Sequence, residues 1–545
     1  MQKDFISQLT ASKKTGRSPR SPWGFGILLV FLFVGAWHLR SLLPSPPLMD
    51  PDTFEYLSPA IHSLTAGAYA PTWRNFVYPL FLTVVLRFSP HLGTISWLQH
   101  VLGLLTAGLI VLILLRSRVF LPKSKLLDWA TGLIALIAAY LFLFSLSPIV
   151  MEHSIRPEVL FSLASAFTIL AGLECCRRLF FKKRLDLTTA VWTVLLLIAA
   201  IGTYYVKPAW GFTMGSALLP LAFVWFQIPG QWARKAFVTL LGLLLAIALF
   251  VAPSQLLRRK DGQNVFLLTS LLCAHAEFIV DILQADALQL PPESPERATL
   301  LQFVQDIERA IHQPHYYRYG LALDPDDLTY KGPLKRLEKG LQESGKSLIR
   351  FCYYYYFRAW QQHPSAMVRK IIKQMEYFYS PKKLNIYAVN DDLGLPEMYS
   401  YSLRSLLAAG YPACAPLKEY LYELQSINKA QKVGPALPRQ MQWLIRASNA
   451  MFFPIFLLSL TAAGALFFLG KAYCELRPAA LLTLYYLSFN FVHCLTISVV
   501  FMMNVTRYHF NQISMSLVSE GFGILFLIAL INRYFLHRKR HHTEQ

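Results

Sequence analysis

Three carboxylates follow the first long apolar run of the sequence, namely Asp50, Asp52 and Glu55. Burial near lipid raises the pKa of a carboxylic acid into the range that is useful for a general base. Helix capping accounts for one of the three, because Asp50 before Pro51 forms a good N-cap and the helix dipole favours acidic groups in a first turn. The cluster therefore predicts either proton-transfer chemistry or a well-capped helix at the membrane surface.

A second set of charged residues lies at the ends of other apolar runs. Glu158 begins one of them, where a carboxylate is costly unless it is paired or faces a wet cavity. Arg156, Lys207 and Arg507 lie close to such ends as well. Basic side chains there can bind an anionic group through charge-assisted hydrogen bonds, or they can anchor a helix end by reaching toward the interface. For single residues both interpretations are open.

The composition indicates that the bilayer is the solvent of this chain. Of its 545 residues 54% are hydrophobic, and the mean hydropathy of +0.38 is too high for a water-soluble surface. The formal net charge of +21 is divided among short segments between apolar runs, and no basic stripe with interleaved aromatics favours nucleic acid. The seven Cys residues show neither a disulfide framework nor zinc-type spacing.

Apolar stretches long enough to cross a membrane as helices recur along the chain. The ten predicted spans lie near 24–42, 92–115, 128–149, 158–176, 187–205, 210–228, 236–254, 448–470, 478–503 and 514–535. Basic residues precede the first span and fill alternate loops, which predicts a multi-pass protein of the inner (plasma) membrane with both termini in the cytoplasm. An all-α polytopic membrane protein is the expected fold class.

The loop lengths divide the chain into five parts. These are a cytoplasmic basic N-terminus at 1–23, an N-terminal transmembrane catalytic module of seven spans at 24–254, an extracytoplasmic helical domain at 255–446, a C-terminal transmembrane module of three spans at 447–536, and a cytoplasmic basic tail at 537–545. The first outer loop, 43–91, should hold an interfacial helix over 52–66 and a second short helix from about Val77.

Four motifs in the outer segments resemble the C-type (GT-C) glycosyltransferase superfamily, the integral membrane enzymes that include protein O-mannosyltransferases and lipid A aminoarabinose transferases. The motifs are Asp52, Tyr56 and Ala60 with Gly67 and Tyr78-Pro79-Leu80; Glu158 at the fourth span; Tyr204-Tyr205-Val206-Lys207-Pro208; and Thr506-Arg507-Tyr508-His509. They occur in the family's order and on one side of the predicted topology, although Lys207 stands where the family commonly has Arg. The resemblance covers the first seven predicted spans better than the last three.

The resemblance implies a GT-C-like transmembrane bundle and an inverting transfer of a hexose or pentose. The donor would be a polyprenyl-phosphate sugar, and the acceptor a lipid, glycan or protein on the extracytoplasmic face, as in glycan biosynthesis of the cell envelope. The catalytic set expected is Asp52, as general base, with Asp50, Glu55 and Glu158. The residues expected to bind the donor phosphate are Arg507, Lys207, Arg74, Arg156 and Tyr508. Those expected to line the acceptor and donor pocket are Tyr56, Tyr78, Tyr205 and His153.

A metal cofactor is an open alternative. Glu158 and Glu152 would supply hard carboxylate oxygens suited to Mg²⁺ or Mn²⁺, but the sequence has no diagnostic metal spacing. The partners expected are the polyprenyl-phosphate sugar, the acceptor and membrane lipid, with no nucleic acid.

Other functions share several of these features. A transporter or flippase of lipid-linked saccharides would use similar spans, but it should show repeat halves or polar residues at the bilayer midplane. A ligase of lipid-linked glycans would suit the large outer loop and the basic turns. An anchor for a binding domain would need one span rather than ten.

Overall fold

The computed structural model describes most of the chain. It covers residues 22–67, 69, 74–182, 186–227, 232–256, 266–311, 320–380, 395–409, 414–427, 439–468, 471–501, 508 and 511–544. Within these ranges every regular element is helical, apart from one isolated bridge that pairs Leu48 with Ser154. The prediction of an all-α protein is confirmed.

The helices fall into three groups along the chain. The first group is α1 (Pro22–Ser41), α2 (Thr53–Ala66), α3 (Val77–Phe88), α4 (Gly93–Ser117), α5 (Lys125–Phe144), α6 (Leu146–His153), α7 (Glu158–Arg177), α8 (Leu187–Val206), α9 (Thr213–Gln227) and α10 (Trp232–Leu256). The second is α11 (Phe266–Cys273), α12 (Ala276–Gln289), α13 (Pro295–Ile311), α14 (Pro325–Tyr330), α15 (Pro333–Glu343), α16 (Leu348–Gln362), α17 (Pro364–Tyr379), α18 (Leu395–Ala409) and α19 (Ala415–Ile427). The third is α20 (Arg439–Ala465), α21 (Arg477–Val500) and α22 (Ile513–Glu544).

Eight of the described helices are long and apolar enough to cross a membrane: α1, α4, α5, α7, α8, α20, α21 and α22. The protein is therefore multi-pass, and these eight helices correspond to eight of the ten predicted spans. The predicted span at 210–228 forms α9, whose 15 residues measure about 22 Å, less than the roughly 30 Å of hydrocarbon. The predicted span at 236–254 lies in α10, whose side chains are only partly described. The apolar pair α11 and α12 is bent by 80° and adds a ninth span if both helices cross together.

Small residues allow the spans to pack closely. Gly103 on α4 faces the Glu152 side chain, and Gly172 on α7 faces the Tyr485 hydroxyl of α21; a Cβ at either glycine would overlap its neighbour. Close backbone approach through small residues is the usual way in which helices associate in lipid. The most buried spans are α7 and α22, which lie at the centre of the bundle.

The first outer loop forms the two short helices that the sequence predicts. Leu57 and Ile61 of α2 are fully or almost fully buried, and they share a hydrophobic cluster with Leu82 of α3. Tyr399 of α18 and Tyr420 of α19 belong to the same cluster. The first outer loop is thus covered by helices that follow it by more than 300 residues, which no local pattern indicates.

The second group of helices, here called the outer domain, has a core of its own in α11–α17. It is joined to the bundle by Lys370 of α17, whose Nζ donates to the carbonyl oxygens of Ser498 at 2.9 Å and Phe501 at 2.6 Å, at the end of α21. Tyr379, about 14 Å further along α17, donates to Asn490 Oδ1 over 2.9 Å. Helix α17 therefore runs alongside the last part of α21. That this domain is extracytoplasmic stays a prediction.

Ion pairs close the opposite end of the bundle. Arg118 binds Asp128 at 2.8 Å between α4 and α5, and Arg177 binds Glu174 at 2.7 Å at the end of α7. Arg533 of α22 pairs with Glu475 beside α21. These ion pairs lie in or beside the loops that the charge pattern assigns to the cytoplasm.

Candidate active site

Charged residues from segments far apart in the sequence meet at one end of the bundle. The segments are the N-terminus of α2, the residues before α3, the turn between α6 and α7, and the end of α8. Tyr508, just before α22, joins them. The structure therefore brings together parts of all four motifs in one charged cluster, here called the carboxylate cleft, where several spans end.

Arg74 ties two of the carboxylates together. Its Nη2 lies 3.0 Å from Asp52 Oδ1, and its Nε lies 2.5 Å from Glu55 Oε2. The guanidinium also stacks over the Tyr56 ring, 5.1 Å from the centroid. Burial opposes the charge of Arg74, but Tyr56, Asp52 and Glu55 outweigh it and raise the pKa of Arg74. Arg74 is thus a permanent cation in direct contact with the predicted base.

Arg156 is the centre of the charge network. It binds Asp50 directly, and its Nη1 lies 3.7 Å from Asp52 Oδ2 and 3.9 Å from Glu158 Oε1. The backbone places it there, because the Leu48 amide donates to the His153 carbonyl at 2.8 Å and the Ile155 amide donates to the Leu48 carbonyl at 3.0 Å. This short pairing holds the segment before Asp50 against the segment that carries Arg156.

Lys207 and Glu158 form the deepest pair of the cleft. Their Nζ and Oε1 atoms are 2.9 Å apart, and Nζ also lies 5.5 Å from the centre of the Tyr508 ring. The Glu158 side chain is 3% exposed, compared with 19% for Asp52 and 21% for Glu55. The cleft is therefore closed at Glu158 and opens toward Asp52 and Glu55.

Asp50 makes two kinds of contact, one with the start of α2 and one with the charge network. Its Oδ1 accepts from the Thr53 amide at 3.1 Å, which caps the start of α2, while its other oxygen binds Arg156. Capping and participation in the charge network occur in the same residue. Arg507, which was expected to bind phosphate, lies outside the described residues.

A structure comparison finds a likeness to the crystal structure of ArnT from Cupriavidus metallidurans bound to undecaprenyl phosphate. The alignment covers 88% of this chain and 78% of that chain, with 13% sequence identity and a TM-score of 0.34. No family model and no curated protein matches the chain. Because this TM-score reflects only a loose correspondence of the two backbones, the function proposed below rests on the contacts of this chain.

The residues expected to line the substrate pocket lie in different surroundings. Tyr56 lies under Arg74 and therefore borders the cleft. Tyr78 is 1% exposed, and its hydroxyl donates to Gln99 Oε1 over 2.7 Å. The Tyr205 ring packs against Phe76 at 5.2 Å. The ring of Tyr56 thus contacts a cation of the cleft directly.

His153 and Glu152 belong to a buried polar network beneath the cleft. Glu152 binds Arg40 through both oxygens, at 2.5 and 2.8 Å, and also contacts His100. Burial raises the pKa of Glu152, but Arg40 and His100 outweigh that effect and leave it lowered. Among the described residues no group of three His, Cys, Asp or Glu side chains could hold a metal ion. Glu152 and Glu158 each bind basic residues in this geometry, and the metal alternative stays a prediction.

Sequence analysis missed several residues near the cleft. The pKa of Tyr330, at the end of α14, is raised by burial and by the Asp52 charge, against the effect of Arg74, so this outer-domain tyrosine is electrostatically coupled to the cleft. No sequence signal marks it. Gln99 and His100 did carry a signal, because polar and ionisable residues inside an apolar span are costly and usually serve a purpose.

Proposed function

We propose that this protein is a membrane glycosyltransferase that moves a sugar from a polyprenyl-phosphate donor to an acceptor hydroxyl, with inversion at the anomeric carbon. The observation that supports it most directly is the meeting of Asp52 with Arg74 and Arg156 at the ends of the spans. One cleft thus holds a base for a hydroxyl and cations for a phosphate. Its position at the membrane boundary suits a donor that is anchored in lipid by its tail.

In the proposed reaction Asp52 accepts the proton of the acceptor hydroxyl. The acceptor oxygen forms a new bond to the anomeric carbon, while the bond between that carbon and the phosphate oxygen breaks. The electron pair leaves with the polyprenyl phosphate. A positioned base and fixed cations near the departing oxygen are the two contributions that lower the barrier of such a displacement.

The depth of the charged pairs suggests how the substrates are arranged. Lys207 lies at the closed end, so we place the phosphate there, with Arg156 between it and the carboxylates. Asp52 lies nearer the opening, where an acceptor can approach. Each cation would have to exchange a carboxylate partner for phosphate oxygens. That exchange also releases Asp52 from Arg156, so that its oxygen can take the acceptor proton.

The proposal also includes the side of the membrane on which the sugar is transferred to the acceptor. We place the cleft on the extracytoplasmic face of the inner membrane, because the basic loops that the positive-inside rule assigns to the cytoplasm lie at the other end of the bundle. Arg507, next to Tyr508 in the sequence, is expected to add a further cation to the phosphate end.

The first test compares the purified protein with its Asp52→Asn variant on a panel of radiolabelled polyprenyl-phosphate sugars, with membrane extract as the acceptor source. We expect Asp52→Asn to lower turnover of the accepted donor by about two to four orders of magnitude, the usual loss for a general base. The matched control is Asp128→Asn, which removes an arginine-paired carboxylate at the opposite end of the bundle and should retain turnover.

Either of two results would overturn the proposal in part or in whole. Near-wild-type turnover in Asp52→Asn would remove Asp52 from the role of base. An intact wild-type protein that turns over no donor on the panel would favour transport or ligation of lipid-linked saccharides instead.

A further inference from the structure

A line of buried polar side chains beneath the carboxylate cleft takes no part in the proposed chemistry. Arg40, at the end of α1, donates to both oxygens of Glu152. Glu152 Oε2 also lies 3.0 Å from Nδ1 of His100 on α4. All three residues are at most 5% exposed. Charged groups this deeply buried are tolerated only when they are paired and hydrogen-bonded, so the arrangement is strongly specified.

The line continues from the bundle into the outer domain. His100 Nε2 lies 3.3 Å from His153 Nδ1, and His153 Nε2 lies 2.6 Å from the hydroxyl oxygen of Tyr399. That hydroxyl donates to the carbonyl oxygen of Pro46 over 2.7 Å. His153 is the last residue of α6 and Tyr399 lies in α18. The line therefore ends on the segment that leads into Asp50.

The partners determine which nitrogens carry protons. The Pro46 carbonyl only accepts, so the Tyr399 hydroxyl donates its one proton there and accepts from Nε2–H of His153. Glu152 accepts from Arg40 at both oxygens, so it is ionised, and His100 donates to it from Nδ1. In this assignment His100 carries a proton on both nitrogens, as an imidazolium beside the Glu152 carboxylate, and donates from Nε2 to the lone pair on Nδ1 of His153. His153 is thus neutral with its proton on Nε2.

The electrostatic surroundings agree with this assignment. Burial and the neighbouring His100 lower the pKa of His153 to about 3, against the opposing effect of a hydrogen bond to the Pro46 backbone. His153 stays neutral over the physiological pH range, and its Nε2–H remains available to Tyr399.

The segment at the end of this line depends on the outer domain for its hydrogen bonds. Pro46 and Pro47 have no N–H, so they offer only their carbonyl oxygens to hydrogen-bond partners. Tyr420 donates to the Pro47 carbonyl over 2.7 Å, and Ser402 bonds both the amide and the carbonyl of Met49, at 2.8 and 2.9 Å. Asp50 follows directly. Helices α18 and α19 thus hold residues 46–49 in place.

We propose that His153 and Tyr399 are positioning residues for the transferase reaction. The Nε2–H of His153 orients the Tyr399 hydroxyl toward Pro46, and this link holds residues 46–49 so that Asp50 and Asp52 face Arg156. The effect on turnover rests on the proposed function, whereas the link itself can be tested without a substrate. Here the link from His153 through Tyr399 to Pro46 is called the latch.

Two substitutions at His153 separate the latch from simple packing. His153→Gln places an amide N–H where Nε2–H lies and keeps the donor to Tyr399. His153→Asn places its amide where Nδ1 lies, so it can still accept from His100 but has no donor that reaches Tyr399. Tyr399→Phe removes the latch from the other side. Tyr355→Phe is the control, since the Tyr355 hydroxyl binds Asp286 over 2.9 Å in the same domain, away from residues 46–49.

The first readout is hydrogen–deuterium exchange of the substrate-free protein, followed by mass spectrometry of peptides that cover residues 46–53. The protected amides there include Leu48, Met49 and Thr53. We expect their exchange to accelerate at least about tenfold in His153→Asn and Tyr399→Phe, and to stay near wild type in His153→Gln and Tyr355→Phe. Equal protection in all four variants would overturn the latch.

The second readout is turnover with the donor identified above. In His153→Asn and Tyr399→Phe we expect kcat to fall by up to about 100-fold, the loss that misplaced catalytic groups can cause, with His153→Gln within a few-fold of wild type. An equal loss in His153→Gln and His153→Asn would show that His153 serves packing only and would overturn the positioning role. If wild type transfers no sugar but the exchange pattern holds, the proposed reaction fails while the latch stands. If His153→Asn does not fold, the comparison of Tyr399→Phe with Tyr355→Phe decides.

Discussion

Each basic residue described in the carboxylate cleft has a carboxylate partner. Arg74 holds Asp52 and Glu55, Arg156 holds Asp50, and Lys207 holds Glu158. Isolated surface pairs contribute little to stability, but these side chains are at most about one-fifth exposed and form one network, which limits screening by water and salt. At the scale of residues the cleft is a preformed set of charges whose partners can be exchanged.

Lys370 gives a residue-scale prediction on pH. Burial lowers the pKa of Lys370 to about 7, although Glu277 opposes the shift, and the side chain is 2% exposed against His275 and the end of α21. The unfolded chain keeps this proton to about pH 10.5, so between pH 7 and that value the unfolded state binds more protons. Stability attributable to Lys370 should therefore rise with pH in this window, by at most about 1.4 kcal/mol per pH unit, and be lost again as pH falls toward 7.

The measurement is the thermal unfolding midpoint of the detergent-solubilised protein from pH 7 to 10, for wild type and Lys370→Met. The variant should show a flatter dependence on pH. Lys373→Met, at an exposed position of the same helix, should keep the wild-type slope. If wild type and Lys370→Met have parallel curves, Lys370 does not release its proton in this range.

Some residues that the sequence singled out lie together in the carboxylate cleft, and their catalytic and binding roles stay predictions. Asp50, Asp52, Glu158 and Lys207 could be singled out because charges at the ends of apolar runs are costly without partners. His153 was interpreted as a pocket residue, but it is buried in the latch. That difference arises because its neighbour Tyr399 lies 246 residues away in sequence, a separation at which composition and spacing carry no information.

At the scale of helices, Gly103 makes the packing of α4 on α6 possible. In Gly103→Ala, the added Cβ atom would overlap the Glu152 carboxylate. The carboxylate would be pushed away from Arg40 and His100. Breaking a buried ion pair typically costs about 3–5 kcal/mol, so we expect the unfolding midpoint of Gly103→Ala to fall markedly.

Gly108→Ala on the same helix is a matched control. A Cβ there would meet only Phe33 at 3.9 Å, an ordinary contact. Alanine also favours the helix by up to about 1 kcal/mol over glycine, so this variant should unfold at or above the wild-type midpoint. Equal midpoints for Gly103→Ala and Gly108→Ala would mean that Glu152 can move without loss.

Hydrophobic periodicity predicted the positions of most helices, but it did not predict which of them are long enough to cross the membrane. The two helices of the first outer loop were predicted and observed, because the apolar face of α2 has a clear helical spacing. The apolar run at 210–228 was assigned as a span, but its α-helix begins only at Thr213, after a 3-10 turn over Pro208–Trp210, and contains Pro220. Hydropathy alone does not show where an α-helix begins, and its length decides whether it can cross.

For the whole molecule, the charge pattern predicts the orientation. A single cysteine at Ser365→Cys in the outer domain should react with a membrane-impermeant maleimide on intact cells, in a background without native cysteines. One at Lys123→Cys, at the opposite end of the bundle, should react only after permeabilisation. Both positions are exposed, so burial does not explain a difference. The reverse pattern would place the carboxylate cleft in the cytoplasm and contradict the extracytoplasmic transfer.

The pairing of Glu158 with Lys207 has a thermodynamic consequence for anion uptake. Glu158 is the first residue of α7 and Lys207 caps the end of α8, so each charge complements the partial charge of its helix end. An anion that binds Lys207 displaces a carboxylate of the protein rather than counterions from solution, and the displaced carboxylate remains stabilised by the α7 terminus. Binding of the anion then exchanges one negative partner of Lys207 for another, and few salt ions are released into solution. Its affinity should vary with ionic strength far less than that of an open basic surface.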